Sequence, residues 1–174
     1  MQWAGSRPEH AVTERSSGAG SGLRRAQSEH RPRWVLDTNV VLDWLIFDDA
    51  AMRAPGAWLR DGLAHWIASA AMREEALDVA ARAVFSKHGP ANALRDRVAQ
   101  GYARYVQPIA STAPSPLICA DPDDQMFIDL ALEHKAALLL TRDKALLALA
   151  PAALARGLRV ARPRDLEIPA WPAA

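Results

Sequence analysis

Acids recur in this chain at places where a carboxylate can do chemistry: Asp37 in LDTN, Glu74 and Glu75 in MREE, Asp121, Asp123 and Asp124 in DPDD, and Asp143 in TRDK. Two unit charges about 4 Å apart repel by about 4 kcal/mol at an effective dielectric of 20. If folding gathers these side chains at one edge, the cluster persists only by binding protons or a divalent cation. A donor set of carboxylates without Cys or His suits a hard ion, Mg²⁺ or Mn²⁺. Histidine chemistry is not indicated. His10 and His30 fall in the N-terminal segment, and His65, His88 and His134 show no spacing like HExxH. The lone Cys119 excludes an internal disulfide, a CxxC redox pair and a cysteine zinc cluster.

Each acid also has an ordinary structural use. Asp37 can cap a helix, but Thr38 and Asn39 can do the same, and three capping residues exceed what one helix needs. In a helix at about 100° per residue, Met72, Ala76, Val79, Ala80 and Ala83 form the apolar face. Glu75 then falls at its edge, while Glu74 joins Asp78 and Arg82 on the wet side; spacing alone leaves Glu75 between a functional acid and a boundary residue. Asp121, Asp123 and Asp124 surround a helix start, where negative charge is favoured by the dipole. Three acids within four residues still repel more than a cap requires. Asp123 and Asp124 flank the face formed by Phe127, Leu130 and Ala131, so pattern does not choose between them, and Asp129 falls on the polar side. Asp143 can merely cap the KALLALA helix.

The elements that must position these acids are legible as alternating runs. A short, continuously apolar strand covers 34–36 and ends at Asp37; Val40, Val41, Trp44 and Leu45 then recur at helical spacing. The pattern predicts helices over 50–63, 70–86 (ended by Gly89-Pro90) and 91–106, with strands at 66–68 and 108–111. Asp121 followed by Pro122 reads as N-cap and first helical position of a helix running to His134. A strand at 137–140, a helix over 143–155 and a strand at 158–161 complete the chain. Strands alternating with helices imply a parallel sheet covered on both faces, hence an α/β class, with the ligand site beyond the carboxyl ends of the strands. Asp37 and Asp143 both stand there.

Together these fragments resemble the PIN-domain family, in particular the toxin components of bacterial toxin–antitoxin pairs, the VapC-type ribonuclease branch. The likeness runs over about 34–166 and rests on VLDTNVVLD (35–43), SAAMREE (69–75), DPDDQMFIDLAL (121–132), LLTRDKALL (139–147) and RVARPRDL (159–166). The resemblance implies a three-layer α/β/α sandwich around a parallel sheet and metal-dependent cleavage of RNA. It aligns Asp37, Glu75, Asp124 and Asp143 with the family's acidic quartet as catalytic residues and ligands of Mg²⁺ or Mn²⁺, choosing Asp124 because it stands three residues before Phe127. Asp121 becomes a supporting acid and metal ligand, Asn39 the polar residue after the first acid, and Thr141 the hydroxyl before the last. Asp43 and Trp44 depart from the pattern, standing where small residues are commoner. The implied chemistry is in-line attack on the phosphate by metal-bound hydroxide. Arg142 and Lys144, flanking Asp143, become the candidate phosphate contacts.

The whole chain of 174 residues carries +1, yet residues 1–33 hold six Arg and three Glu, or +3, which leaves −2 for the rest. The domain therefore cannot steer a polyanion by net charge and must use local cations. Residues 1–33 are rich in Gly and Ser with few large aliphatics, so they read as a disordered tail, and 34–174 as the nuclease-like domain. No stretch reaches the roughly 18 apolar residues of a membrane span, and no signal peptide is evident, so a cytoplasmic location is expected. The expected partners are an RNA substrate and a cognate antitoxin, with room for a homodimer. Two other readings compete: a non-catalytic PIN-fold module that binds RNA or protein, and a phosphotransfer protein with a nucleophilic aspartate, against which LDTN lacks the neighbouring acid.

Overall fold

Apolar runs punctuated by acids, glycines and prolines become a five-stranded parallel sheet. The computed structural model describes residues 31–110 and 112–167. Its strands are β1 (Arg33–Leu36), β2 (His65–Ser69), β3 (Val106–Ile109), β4 (Leu138–Leu140) and β5 (Arg159–Ala161), in the order β3-β2-β1-β4-β5. The helices are α1 (Thr38–Leu45), α2 (Arg53–Arg60), α3 (Ala70–Ala80), α4 (Ala91–Tyr105), α5 (Gln125–Glu133), α6 (Lys144–Ala148) and α7 (Ala150–Leu154). They flank the sheet, giving the three-layer α/β/α class expected. Trp34, Val35 and Leu36 of β1 and all three leucines of β4 are buried, without alternation. That is the signature of strands covered on both faces. β3 is an edge strand, where Pro108 is tolerated because one side needs no ladder partner.

The strand order locates the site. From β1 the chain steps to β2 and β3 on one side, then crosses back to place β4 and β5 on the other. The direction reverses between β1 and β4, and the crevice beyond the carboxyl ends of a parallel sheet opens at such a switch point. Asp37 follows β1 there, and Asp143 follows β4.

Several boundaries differ from expectation, each for a tertiary reason. The helix expected over 70–86 stops at Ala80, and Ala83–His88 form a separate 3₁₀ segment. Phe85 and His88 turn in to pack on Phe47, with ring centroids 5.3 and 4.7 Å away, and this contact overrides the alanine-rich propensity. The helix expected over 143–155 is two helices meeting at Leu149, because Pro151 has no N–H to continue the ladder and starts α7 instead. The strand expected at 108–111 lies two residues earlier. Of the expected tail, residues 1–30 lie outside the described residues. Arg33 is part of β1, paired with His65 and accepting at its carbonyl from Ala137 N–H at 2.8 Å. No helix among the described residues is long and apolar enough to cross a membrane.

Trp44, one of the residues noted as a departure, packs between Trp66 and Tyr105 at centroid distances of 5.8 and 5.1 Å. Its indole lies over buried Gly56 of α2 so closely that a Cβ there collides with Nε1. Because the ring is wedged between two other aromatics, it has little freedom to retreat. Gly56→Val is therefore expected to cost about 1–3 kcal/mol by overpacking, measured as a lower denaturant midpoint at unchanged slope. An unchanged midpoint means that Trp44 swings aside.

Candidate active site

Asp37 is the N-cap of α1: its Oδ1 accepts from Val40 N–H at 2.8 Å. Its Oδ2 accepts from the Thr141 hydroxyl and from Arg142 N–H at 3.2 Å, so the strand beside β1 clamps the carboxylate from the other side. Thr141 is fully buried, and its Oγ1 in turn accepts from Asp143 N–H at 2.9 Å. Asp143 caps α6, its Oδ1 accepting from Ala145 N–H at 2.6 Å and Leu146 N–H at 3.1 Å. Capping and site membership are thus compatible. One oxygen of Asp143 orders the helix while the other accepts from no backbone group among the described residues.

Burial, with Asp37 only 2% exposed, pushes its carboxyl above the ordinary value. The bonds from Thr141, Val40 and Arg142 pull the other way, and the charge of Asp143 adds to the rise. Asp124, just before α5, is pushed up to about 7, first by burial, then by the charges of Asp143, Asp121 and Asp37 and by a hydrogen bond with Asp143. Glu75 on α3 is also raised, mainly by burial, with the charges of Asp37 and Asp123 adding and the Thr38 hydroxyl and Arg82 opposing. Glu75 Oε2 is buried yet has no partner in hydrogen-bonding geometry, and neither does the Thr38 Oγ1. An orphaned carboxylate oxygen facing like charges is costly unless a proton or cation answers it.

Asp37 is thus within electrostatic reach of Glu75, Asp124 and Asp143. Asp121 stays exposed at the rim, its Oδ1 accepting from Asp123 N–H at 3.0 Å. Asn39 is exposed on the first turn of α1 and makes no side-chain hydrogen bond among the described residues; Lys144 is exposed beside Asp143 without an ion pair among them. Glu74 is on the wet side as expected, paired with Arg73. Asp129 is not merely solvated: it accepts from Ser115 N–H at 2.8 Å and from Gln125 Nε2 at 2.6 Å. Gln125 also accepts from Cys119 N–H at 2.7 Å, so the two side chains pin the loop that delivers Asp121 and Asp124.

Arg142 carries a bond that the sequence reading did not name. Instead of being uncommitted, its Nη1 donates to both oxygens of Asp43, at 2.8 and 2.7 Å. Asp43 is buried, and burial raises its carboxyl more than the arginine lowers it. A signal for this pairing was present: an acid inside the apolar stripe VVLDWL needs a cation somewhere.

The donor set fits a hard divalent ion, being all oxygen with one orphaned atom, Glu75 Oε2. Among the described residues, however, no three Asp, Glu, His or Cys side chains are arranged to hold an ion by themselves. Of the roughly four lone-pair sites of a carboxylate, Asp37 has already given three to Val40, Thr141 and Arg142. An ion of the Mg²⁺ type, which keeps several waters and takes one or two carboxylates directly, suits such a partly committed ring better than a dry cage.

The pattern that defines the PIN domain matches residues 33–145, a span that contains Asp37, Glu75, Asp124 and Asp143. The match covers more than half the chain, which belongs to the PIN-domain family, a nuclease-type fold that generally uses divalent metals. No curated protein matches it significantly.

Proposed function

We propose that the chain is an endoribonuclease that hydrolyses RNA phosphodiester bonds with Mg²⁺ or Mn²⁺ as cofactor. The observation that supports this best is geometric: Thr141 donates to Asp37 and accepts from Asp143 N–H, tying the two acids together at the switch point of the sheet inside the PIN-domain match, and crowding there pushes the Asp124 carboxyl up to about 7. Asp37, Glu75, Asp124 and Asp143 are the catalytic acids and metal ligands, and Asp121 assists from the rim. These carboxylates would hold a divalent ion, which when bound would supply hydroxide at neutral pH and neutralise charge on the phosphate oxygens. Thr141 orients Asp37 and, through Asp143 N–H, the start of α6. Lys144 receives a substrate phosphate, and Asn39 supports the rim near Asp37.

RNA as substrate, and the further role of toxin in a type II toxin–antitoxin pair, come from the VapC-type likeness of the five fragments. In that reading the chain acts in the cytoplasm and is silenced by a cognate antitoxin encoded beside it. The absence of a three-acid ion cage among the described residues favours one competitor, a PIN-fold module that binds RNA without cutting it.

The test incubates the full chain and labelled single-stranded RNA with Mn²⁺, then with EDTA. Cleavage is expected only with the ion. Mn²⁺ is also expected to raise the melting temperature without RNA, because a ligand at about 100 times its Kd adds about 2.7 kcal/mol to the native state. RNA binding without cleavage and without a melting shift establishes the non-catalytic module instead.

A further inference from the structure

Next to the acids, on the β5 side of the same sheet edge, lies a groove of about 340 Å³ lined by Asp43, Asp49, Arg142, Arg162 and Arg164, with Ala51 and Pro163. Its placement follows from the topology. β4 lies between β1 and β5, all parallel, so the residues that follow β1, β4 and β5 emerge side by side. Asp37 follows β1, Arg142 stands two residues past β4, and Arg162 comes directly after β5. Arg142 belongs to both sites, because its backbone N–H donates to Asp37 while its side chain lines the groove.

The three guanidinium groups are held in different ways. Buried Asp43 grips Arg142 through Nη1 alone, leaving Nε and Nη2 without a protein acceptor among the described residues. Asp43 thereby acts as a positioning residue that tethers one end of the guanidinium beside the groove. Arg162 and Arg164 share Asp165, each at 3.7 Å, with the three side chains 38%, 69% and 55% exposed. Exposed pairs at such distances contribute little, so both cations remain available to a stronger anion. Planar arginine forks match phosphate oxygens better than they match a single carbonyl or water.

We infer that this groove binds backbone phosphates of the RNA strand flanking the scissile bond, with Arg142, Arg162 and Arg164 as the contacts. The inference rests on the nuclease reading and extends it by saying where one arm of the substrate lies. A strand that crosses a cluster of carboxylates is repelled there and needs cationic footing immediately alongside. The groove supplies three guanidinium groups against the two lining acids Asp43 and Asp49, within a domain that is acidic overall.

The test uses the full chain with both Arg162→Ala and Arg164→Ala, and a fluorescent single-stranded oligoribonucleotide in EDTA, so that binding is read without cleavage. Affinity is expected to fall about tenfold or more, and the slope of log K against log salt to shrink by about 0.7 for each phosphate that the variant no longer neutralises. A double Arg→Lys variant should keep most of the slope but regain only part of the affinity, since lysine preserves charge without the fork. An unchanged melting temperature shows that both variants fold. Unaltered RNA affinity and slope in the Ala variant overturn the inference, and they overturn it in favour of an acidic protein segment if poly-glutamate binding is lost instead. Failure of the nuclease reading looks different: the parent chain then binds RNA through these arginines but never cleaves it with Mn²⁺.

Discussion

Replacing Asp37 with asparagine is expected to lower Mn²⁺-dependent RNA cleavage about a thousandfold or more, since several kcal/mol of transition-state stabilisation are at stake and each 1.36 kcal/mol is a factor of ten. The fold should survive. Asparagine can keep its carbonyl on Val40 N–H, and the Thr141 hydroxyl can turn to accept from the new amide. What disappears are the acceptors for Arg142 N–H and for the Thr141 hydroxyl proton, at about 1–3 kcal/mol for each donor left unsatisfied. Removing a charge from a site only 2% exposed offsets that loss. The metal-free variant should therefore melt at or above the parent's temperature, while Mn²⁺ raises the melting temperature of the parent and not of the variant. Equal turnover defeats the catalytic assignment, and a sharply lower melting temperature without metal assigns Asp37 a purely structural role.

That Asp37 can be singled out from sequence has a physical basis. A strand buried on both faces reads as an unbroken apolar run, so the polar residue ending it marks the carboxyl edge of the sheet; Asp37 after β1 and Asp143 just past β4 share this signature. The lean of Glu75 toward the core is likewise legible, because helical rotation is a local property. Contacts between distant segments are not. Arg142 and Asp43 stand 99 residues apart, and no periodicity within α1 or after β4 names the partner. The choice between Asp123 and Asp124 is of the same kind. Pattern puts them on the two flanks of α5, and only the approach of the β4 loop decides that Asp124 bonds to Asp143, while the charge of Asp123 is felt at Glu75. The arginine groove is hidden for a further reason: Arg162 and Arg164 look like solvated surface residues until β5 is laid beside β4.

The metal-free domain is expected to gain stability on acidification, against the usual trend for acid-rich proteins. Asp124 titrates at about 7 in the folded chain against an ordinary 3.8, and Asp37, Glu75 and Asp43 are shifted the same way, all chiefly by burial. Between those two pH values the native state binds more protons than the unfolded state. Stability must then fall as pH rises through that window, and level off once Asp124 is ionised on both sides of the equilibrium. Solvent reaches Asp124 in part, so the change assigned to it is discounted to about 1 kcal/mol, or about 2–4 °C in a chain of this size. In EDTA the melting temperature should accordingly be higher at pH 5.5 than at pH 8. Asp124→Asn should raise the pH 8 value and flatten the profile, since it removes the charge that Asp143, Asp121 and Asp37 oppose. Mn²⁺ at pH 8 should stabilise the parent more than this variant, because proton and cation answer the same repulsion. A melting temperature that climbs steadily from pH 5.5 to 8 without metal would mean that these carboxylates are solvated individually and do not crowd one another at the switch point.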